Sequence, residues 1–139
     1  MSGRIERPEA AALVGGGGAL VMLGAWLPWL TLFAGLQRYS GLVGVHGYVL
    51  LAGGVLAIVA ALAMLCTRRR WVRWATVLLG LTLLGFDWWL LTGLVGMLHH
   101  DVNAMLVPRA GPGLFVASLG IALVILGPGI VLARGDGER

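Results

Sequence analysis

Asp87 is the residue in this sequence that most suggests chemistry, because it is an acidic side chain inside a long apolar run. It lies about ten positions before Met97, which places it roughly 15 Å from the outer end of its predicted helix at ~1.5 Å per residue. A carboxyl group at that depth costs at least ~2.5 kcal/mol, so we expect Asp87 to face the protein interior and to have a partner or a proton. Thr76 and Gly80 share its helical face.

Two residues are candidate partners for Asp87. His46 at the outer start of the second helix is predicted to lie about one turn above it, and Arg38 is close enough to reach down from the first outer loop. A buried His–Asp pair titrates as a unit. Such a pair is either a proton-responsive or cation-binding site, or a polar staple that fixes the register of the helices.

A second group of polar residues, His99, His100 and Asp101, brings three potential metal ligands together in the second outer loop. Adjacent ligands do not converge on one metal as readily as ligands spaced along a helix face, and no Cys accompanies them. We therefore expect a solvated loop, in which Asp101 or Asn103 caps a short helical turn, and no metal or cofactor. The sequence carries no enzyme signature and predicts a protein without catalytic activity.

The elements that must position these residues are four apolar runs, over 11–33, 47–66, 74–97 and 112–133. Each is close to the ~20 residues that a helix needs to cross the hydrocarbon core. The composition agrees, with 59% hydrophobic and 12% charged residues. We predict an all-α, polytopic membrane protein that forms a single four-helix transmembrane domain over 1–139.

The arginines predict the orientation of this domain, because basic residues near helix ends are retained on the cytoplasmic side. Eight of the ten lie before the first run, between the second and third, or after the fourth, and only Arg38 and Arg109 lie in the other two loops. Both termini are therefore predicted to be cytoplasmic. The eight arginines on the predicted cytoplasmic side are expected to attract anionic lipid rather than nucleic acid. The absence of lysine and the abundance of Gly, Ala, Val and Leu favour a bacterial protein of the inner membrane.

The two halves of the chain show a weak internal similarity. Gly24 and Thr31 match Gly85 and Thr92 at one offset, and tryptophans lie between the members of each pair. A duplication would give two tandem parallel helical hairpins, related by an axis along the membrane normal. The alternative is that any two apolar hairpins with tryptophans near one interface align this well.

Tryptophans and small residues predict how the helices meet lipid and one another. The six tryptophans are expected to be interfacial anchors, with some of the outer four as possible walls of an outer cavity: Trp26, Trp29, Trp71, Trp74, Trp88 and Trp89. Pro28 is expected to kink the first helix. Small residues are predicted to lie in helix packing or partner contacts: Gly15, Gly16, Gly17, Gly18, Gly53, Ala57, Gly113, Ala117 and Gly120.

The segment Trp26, Leu27, Pro28, Trp29 gives the first hairpin a resemblance to small four-helix membrane proteins of actinobacteria. That resemblance covers about half the chain and implies no activity. Three functional hypotheses remain: a non-catalytic accessory or assembly subunit of a larger membrane complex, a small oligomeric transporter or channel with Asp87 and His46 as its proton or cation site, and a lipid- or quinone-binding module. The expected partners are membrane lipids, together with other membrane subunits or further copies of the chain.

Overall fold

The structure, a computed structural model, describes residues 6–32, 37–67, 69–100 and 109–135. Within these residues it contains four helices: α1 (Glu6–Trp26), α2 (Val45–Cys66), α3 (Arg70–His100) and α4 (Pro112–Gly135). All four are long and apolar enough to cross a membrane, with spans of 19, 22, 27 and 22 residues. The predicted all-α, four-helix membrane fold is therefore confirmed.

The helices form a bundle in which α1 has the largest interfaces. It packs most extensively against α4 and α2, whereas α3 packs against α4 and, over a smaller area, against α2. The bundle has two different ends. We call the end that holds Cys66 and Arg70 the arginine end, and the opposite end, which holds Trp26, Val45 and Pro112, the sheet end.

The first helix ends at Trp26 and does not continue to residue 33 as predicted. Proline has no N–H, so Pro28 cannot donate the helical hydrogen bond that the carbonyl of Gly24 would accept. The indole Nε1 of Trp29 donates to that carbonyl instead, over 2.9 Å. Pro28 therefore terminates α1 and starts a strand, and the predicted kink was wrong.

A small antiparallel sheet, absent from the sequence predictions, lies at the sheet end. Its strands are β1 (Pro28–Leu32), β2 (Gln37–Ser40) and β3 (Arg109–Ala110), in the order β2-β1-β3. The N–H of Gly111 also donates to the carbonyl of Trp29 over 2.7 Å. Strand edges have unpaired backbone groups that water can satisfy but hydrocarbon cannot, so the sheet belongs beyond the lipid tails. It joins the two loops at this end.

The other helix bounds differ less from prediction. α2 and α4 agree with it to within two residues, the usual uncertainty of a helix end. α3 is longer than predicted at both ends, starting at Arg70 and ending at His100. The backbone of His99 and His100 is therefore helical and not part of a loop, while Asp101 and Asn103 lie outside the described residues.

Most of the predicted small residues lie between helices of the bundle itself. A Cβ atom added to Gly17 would lie 2.5 Å from the carbonyl oxygen of Gly120, and one added to Gly18 would lie 2.7 Å from that of Gly54. The remaining contacts are of the same kind: Gly113 against Gly24, Gly53 against Leu83, and buried Ala57 and Ala117 in the core. Gly113, Ala117 and Gly120 thus lie on an internal surface of α4 that faces α1, which is the helix-packing alternative of the prediction.

Gly15 and Gly16 differ from the two glycines that follow them. A Cβ atom on Gly15 would meet only Ala61, at 3.6 Å, and a Cβ atom on Gly16 would meet nothing within 4 Å. Four consecutive glycines on a helix point in four directions, so only some of them face a neighbouring helix. The glycine run serves packing through Gly17 and Gly18, while Gly16 faces outward.

The positions matched by the internal similarity lie in different surroundings. A Cβ atom on Gly24 would overlap the backbone of α4, whereas one on Gly85 would meet nothing within 4 Å. Thr31 lies in β1, but Thr92 lies in the helical continuation of α3. The two hairpins therefore share their helical content and not the structure of their outer ends.

Candidate functional site

The inward face of α3 positions the candidate site. Its buried residues recur every three or four positions, as one face of a helix requires: Val72, Thr76, Gly80, Leu83 and Asp87. Thr76 donates from Oγ1 to the carbonyl of Val72 over 2.8 Å, which satisfies its hydroxyl within the helix. Asp87 is only 1% exposed. The prediction that Asp87 faces protein, on the same side as Thr76 and Gly80, is confirmed.

The partner of Asp87 is Ser118 on α4. The hydroxyl Oγ of Ser118 lies 2.5 Å from Oδ2 of Asp87 and donates to it. Ser118 is six residues after Pro112, the first residue of α4, so the contact lies about 9 Å below the sheet end at ~1.5 Å per residue. This hydrogen bond links α3 to α4, whose residues Leu83 and Ala117 belong to the apolar core cluster of the bundle.

Ser118 also has a second acceptor within reach, the carbonyl oxygen of Leu114 at 2.9 Å. A serine hydroxyl carries a single proton and can donate to only one acceptor at a time. If Asp87 holds a proton, it can donate to Ser118 while Ser118 donates to Leu114, and both contacts are then hydrogen bonds. If Asp87 is ionised, the Ser118 hydroxyl can donate either to the carboxylate or to the carbonyl of Leu114, but not to both. The arrangement can therefore respond to a proton on Asp87.

The other carboxyl oxygen of Asp87, Oδ1, is buried without a hydrogen-bond partner. A buried polar atom without a partner generally costs about 1–3 kcal/mol. Asp87 thus has one oxygen at a hydroxyl and one buried oxygen without a partner. Chemically, the pair can hold a proton or accept a hydrogen bond, and it can also act as a polar contact that fixes α3 against α4.

The sequence predicted different partners for Asp87, and these predictions were wrong. Among the described side chains, neither His46 nor Arg38 forms a hydrogen bond or ion pair with Asp87. His46 is exposed on the first turn of α2, where its ring lies 5.6 Å from that of Trp89 and 6.2 Å from that of Phe86. Arg38 is exposed on β2. Both residues lie at the rim of the sheet end, while Asp87 lies below it.

The sequence prediction named only titratable residues as partners of Asp87 and therefore omitted Ser118. The signal was present in the sequence: Ser118 is a hydroxyl inside an apolar run, beside the small residues Ala117 and Gly120. Small residues allow helices to approach closely, and serine hydroxyls form hydrogen bonds between such helices.

Five of the six tryptophans face outward. Trp26, Trp71, Trp74, Trp88 and Trp89 are 52–71% exposed, as expected of indoles that contact lipid or headgroups. Trp29 is the exception. Its ring is half-buried against the core and fills the space that Gly41 and Gly113 leave open. Trp29 therefore packs against the core at the sheet end of the bundle.

The predicted histidine group begins at the end of α3. His99 and His100 belong to the last turn of α3, and Asp101 lies outside the described residues. Within the part of the chain that the structure describes, no three His, Cys, Asp or Glu side chains come together as metal ligands.

Comparisons with known proteins give no family for this chain, since no protein-family model matches it and no curated protein is significantly similar to it.

Proposed function

We propose that this protein is a non-catalytic accessory or assembly subunit that docks through α3 to a larger complex in the bacterial cytoplasmic membrane. The supporting observation is the exposure of α3, of whose apolar span only 17% is buried, against 28–44% for the other three helices. A helix that contributes so little to its own bundle has most of its surface available for another molecule.

The outward face of α3 has a regular spacing that supports docking of a helix. Among the exposed residues of α3, one stripe recurs at intervals of three and four positions: Trp71, Trp74, Leu78, Leu81, Gly85, Trp88 and Thr92. This is the spacing of the contact seam between two helices that pack at a small angle. We call these residues the α3 seam. Lipid tails cover apolar side chains as well as a helix does. The spacing of the seam alone therefore does not distinguish a partner helix from lipid.

Gly85 favours a protein neighbour at the seam. It lies in mid-helix and is exposed, with nothing within 4 Å of an added Cβ. Glycine in a helix interior costs roughly 1 kcal/mol relative to alanine, and close backbone approach by a second helix is what compensates for it in membranes. Trp88 and Leu81 flank Gly85 on the same face. A partner helix can thus rest on Gly85 between two large side chains.

Photocrosslinking in cells tests this docking. A benzoylphenylalanine at Gly85 should give a discrete adduct with another protein, whereas the same group at Leu56, an exposed residue of α2, should react only with lipid. Purification of the adduct identifies the partner. Lipid adducts alone at both positions would contradict the proposal. An adduct between two copies of this chain would also contradict it and would favour a homo-oligomer.

The proposal includes an orientation with the arginine end in the cytoplasm. Cys66 is exposed at this end, and Arg38 is exposed on β2 at the other. An impermeant maleimide should label R38C in a C66A background in intact cells. It should label Cys66 of the natural chain only after permeabilisation. Labelling of Cys66 in intact cells, with R38C protected, would reverse the orientation.

A small transporter or channel that uses Asp87 is the second candidate. It is favoured by the buried Oδ1 atom without a partner and by the Ser118 hydroxyl with two acceptors. Ionisable groups inside a membrane protein commonly mark proton or ion paths. The exposed position of His46 at the rim removes it from the proposed site and leaves Asp87 with Ser118.

A further inference from the structure

The turn between α2 and α3 presents basic side chains at the arginine end of the bundle. Arg69 is exposed just before α3, and half-buried Arg73 follows it by one helical turn. The first turn of α3 contains no acidic residue. The N-terminal end of a helix carries a partial positive charge, which adds to that of the two guanidinium groups. This end of α3 therefore attracts anions.

Two exposed indoles accompany these arginines. Trp71 and Trp74 are 62% and 52% exposed. From Arg69 to Trp74 the chain rises by only about 7 Å along the helix axis. The guanidinium groups and indoles thus occupy one thin layer, comparable with the headgroup region of a leaflet.

Toward the middle of the bundle the exposed surface beyond Trp74 is apolar. Leu78, one turn beyond Trp74, is 61% exposed, and Leu65 at the end of α2 is 56% exposed. An anion that binds here thus meets guanidinium groups first and aliphatic side chains immediately beyond them. A phospholipid has this sequence of groups, a phosphate followed by acyl chains. A free phosphate ion has no apolar group that could contact the aliphatic side chains.

We propose that Arg69 and Arg73, flanked by Trp71 and Trp74, form a binding site for an anionic phospholipid. The guanidinium groups bind the phosphate, for which their planar donors are suited. The indole N–H groups donate to the phosphate or the glycerol oxygens, and the acyl chains lie along Leu78. The site lies at the opposite end of the bundle from Asp87, and it includes Trp71, Trp74 and Leu78 of the α3 seam.

Native mass spectrometry with mixed lipids tests the site. The purified chain is exposed to equal amounts of phosphatidylglycerol and phosphatidylcholine with identical acyl chains, and the ratio of retained lipids is measured. Each arginine near a membrane surface should contribute roughly a fivefold preference for the anionic lipid. The R69Q/R73Q variant should lose most of this preference. R38Q, which removes an exposed arginine at the sheet end, should retain it.

Further measurements separate a lipid site from its alternatives. R69K/R73K keeps both charges and should keep most of the preference, so that its loss in R69Q/R73Q reports charge and not misfolding. Excess inorganic phosphate should leave phosphatidylglycerol bound, because it cannot replace the acyl-chain contacts. Equal retention of the two lipids by the natural chain, an undiminished preference in R69Q/R73Q, or displacement by inorganic phosphate would each overturn the proposal.

Discussion

Gly17→Ala should strongly destabilise the bundle, whereas Gly16→Ala, one residue earlier, should leave its stability unchanged or slightly higher. The added methyl on Gly17 would lie 2.5 Å from the carbonyl oxygen of Gly120, and backbone cannot move aside as a flexible side chain can. Overpacking of this kind costs about 1–3 kcal/mol or more. Gly16 has nothing within 4 Å of its added methyl. The midpoint of thermal unfolding in mild detergent measures the difference.

Gly120→Ala probes the same contact from the other helix. Its added methyl would lie 2.5 Å from the carbonyl oxygen of Gly17, so we expect a similar loss of stability. Because both variants separate α1 from α4, their effects should be less than additive when combined. Equal stability of the Gly16→Ala and Gly17→Ala variants would mean that α1 and α4 do not meet through these glycines.

Ser118→Ala should destabilise the protein by about 1–3 kcal/mol, because it leaves both oxygens of a buried carboxyl group without a partner. The same substitution in an Asp87→Leu background should cost much less, since the carboxyl group is then absent. This double-mutant cycle isolates the energy of the contact between α3 and α4. Chemical or thermal unfolding of the four proteins in detergent provides the measurement. Equal costs of Ser118→Ala in the two backgrounds would contradict the hydrogen bond.

Asp87→Asn separates a structural contact from a proton site. An asparagine can still accept the Ser118 hydrogen bond, so this variant should be more stable than Asp87→Leu if the contact is a staple. If Asp87 carries protons, Asp87→Asn should in addition abolish proton flux into liposomes, because the amide cannot ionise. Proton flux that is equal in the natural chain, the variant and empty liposomes would exclude the transporter candidate.

The four helices could be predicted because hydrocarbon imposes one requirement on every spanning segment, which is about 20 apolar residues. Their ends were harder to predict, because local chemistry decides them. Pro28 lies in a run that is apolar on both sides, so hydropathy continues the first helix to residue 33. The missing N–H of Pro28 and the indole of Trp29 end it at Trp26 instead. Backbone hydrogen bonding, which hydropathy does not represent, sets this boundary.

Asp87 could be located from the sequence, but its partner could not be. A buried carboxyl group is recognisable in one helix, whereas its contact depends on the pairing and relative depth of two helices. That pairing follows from the glycines of α1, α2 and α4, and a sequence shows that glycines are present without showing which of them meet. Gly17 and Gly16 are adjacent and chemically identical, yet only Gly17 faces α4. Three-dimensional packing therefore determines Ser118 as the partner.

The largest interface of the bundle also constrains the order of its assembly. α1 and α4 are the first and the last of the four helices to leave the ribosome, yet they pack most extensively against each other. During synthesis, α1 enters the membrane beside α2. It cannot contact α4 until about 85 further residues have been made. Its Gly17 and Gly24 surfaces face lipid or the insertion machinery throughout that interval. We therefore expect chains truncated before α4 to lack the largest interface of α1 and to be less stable than the full bundle.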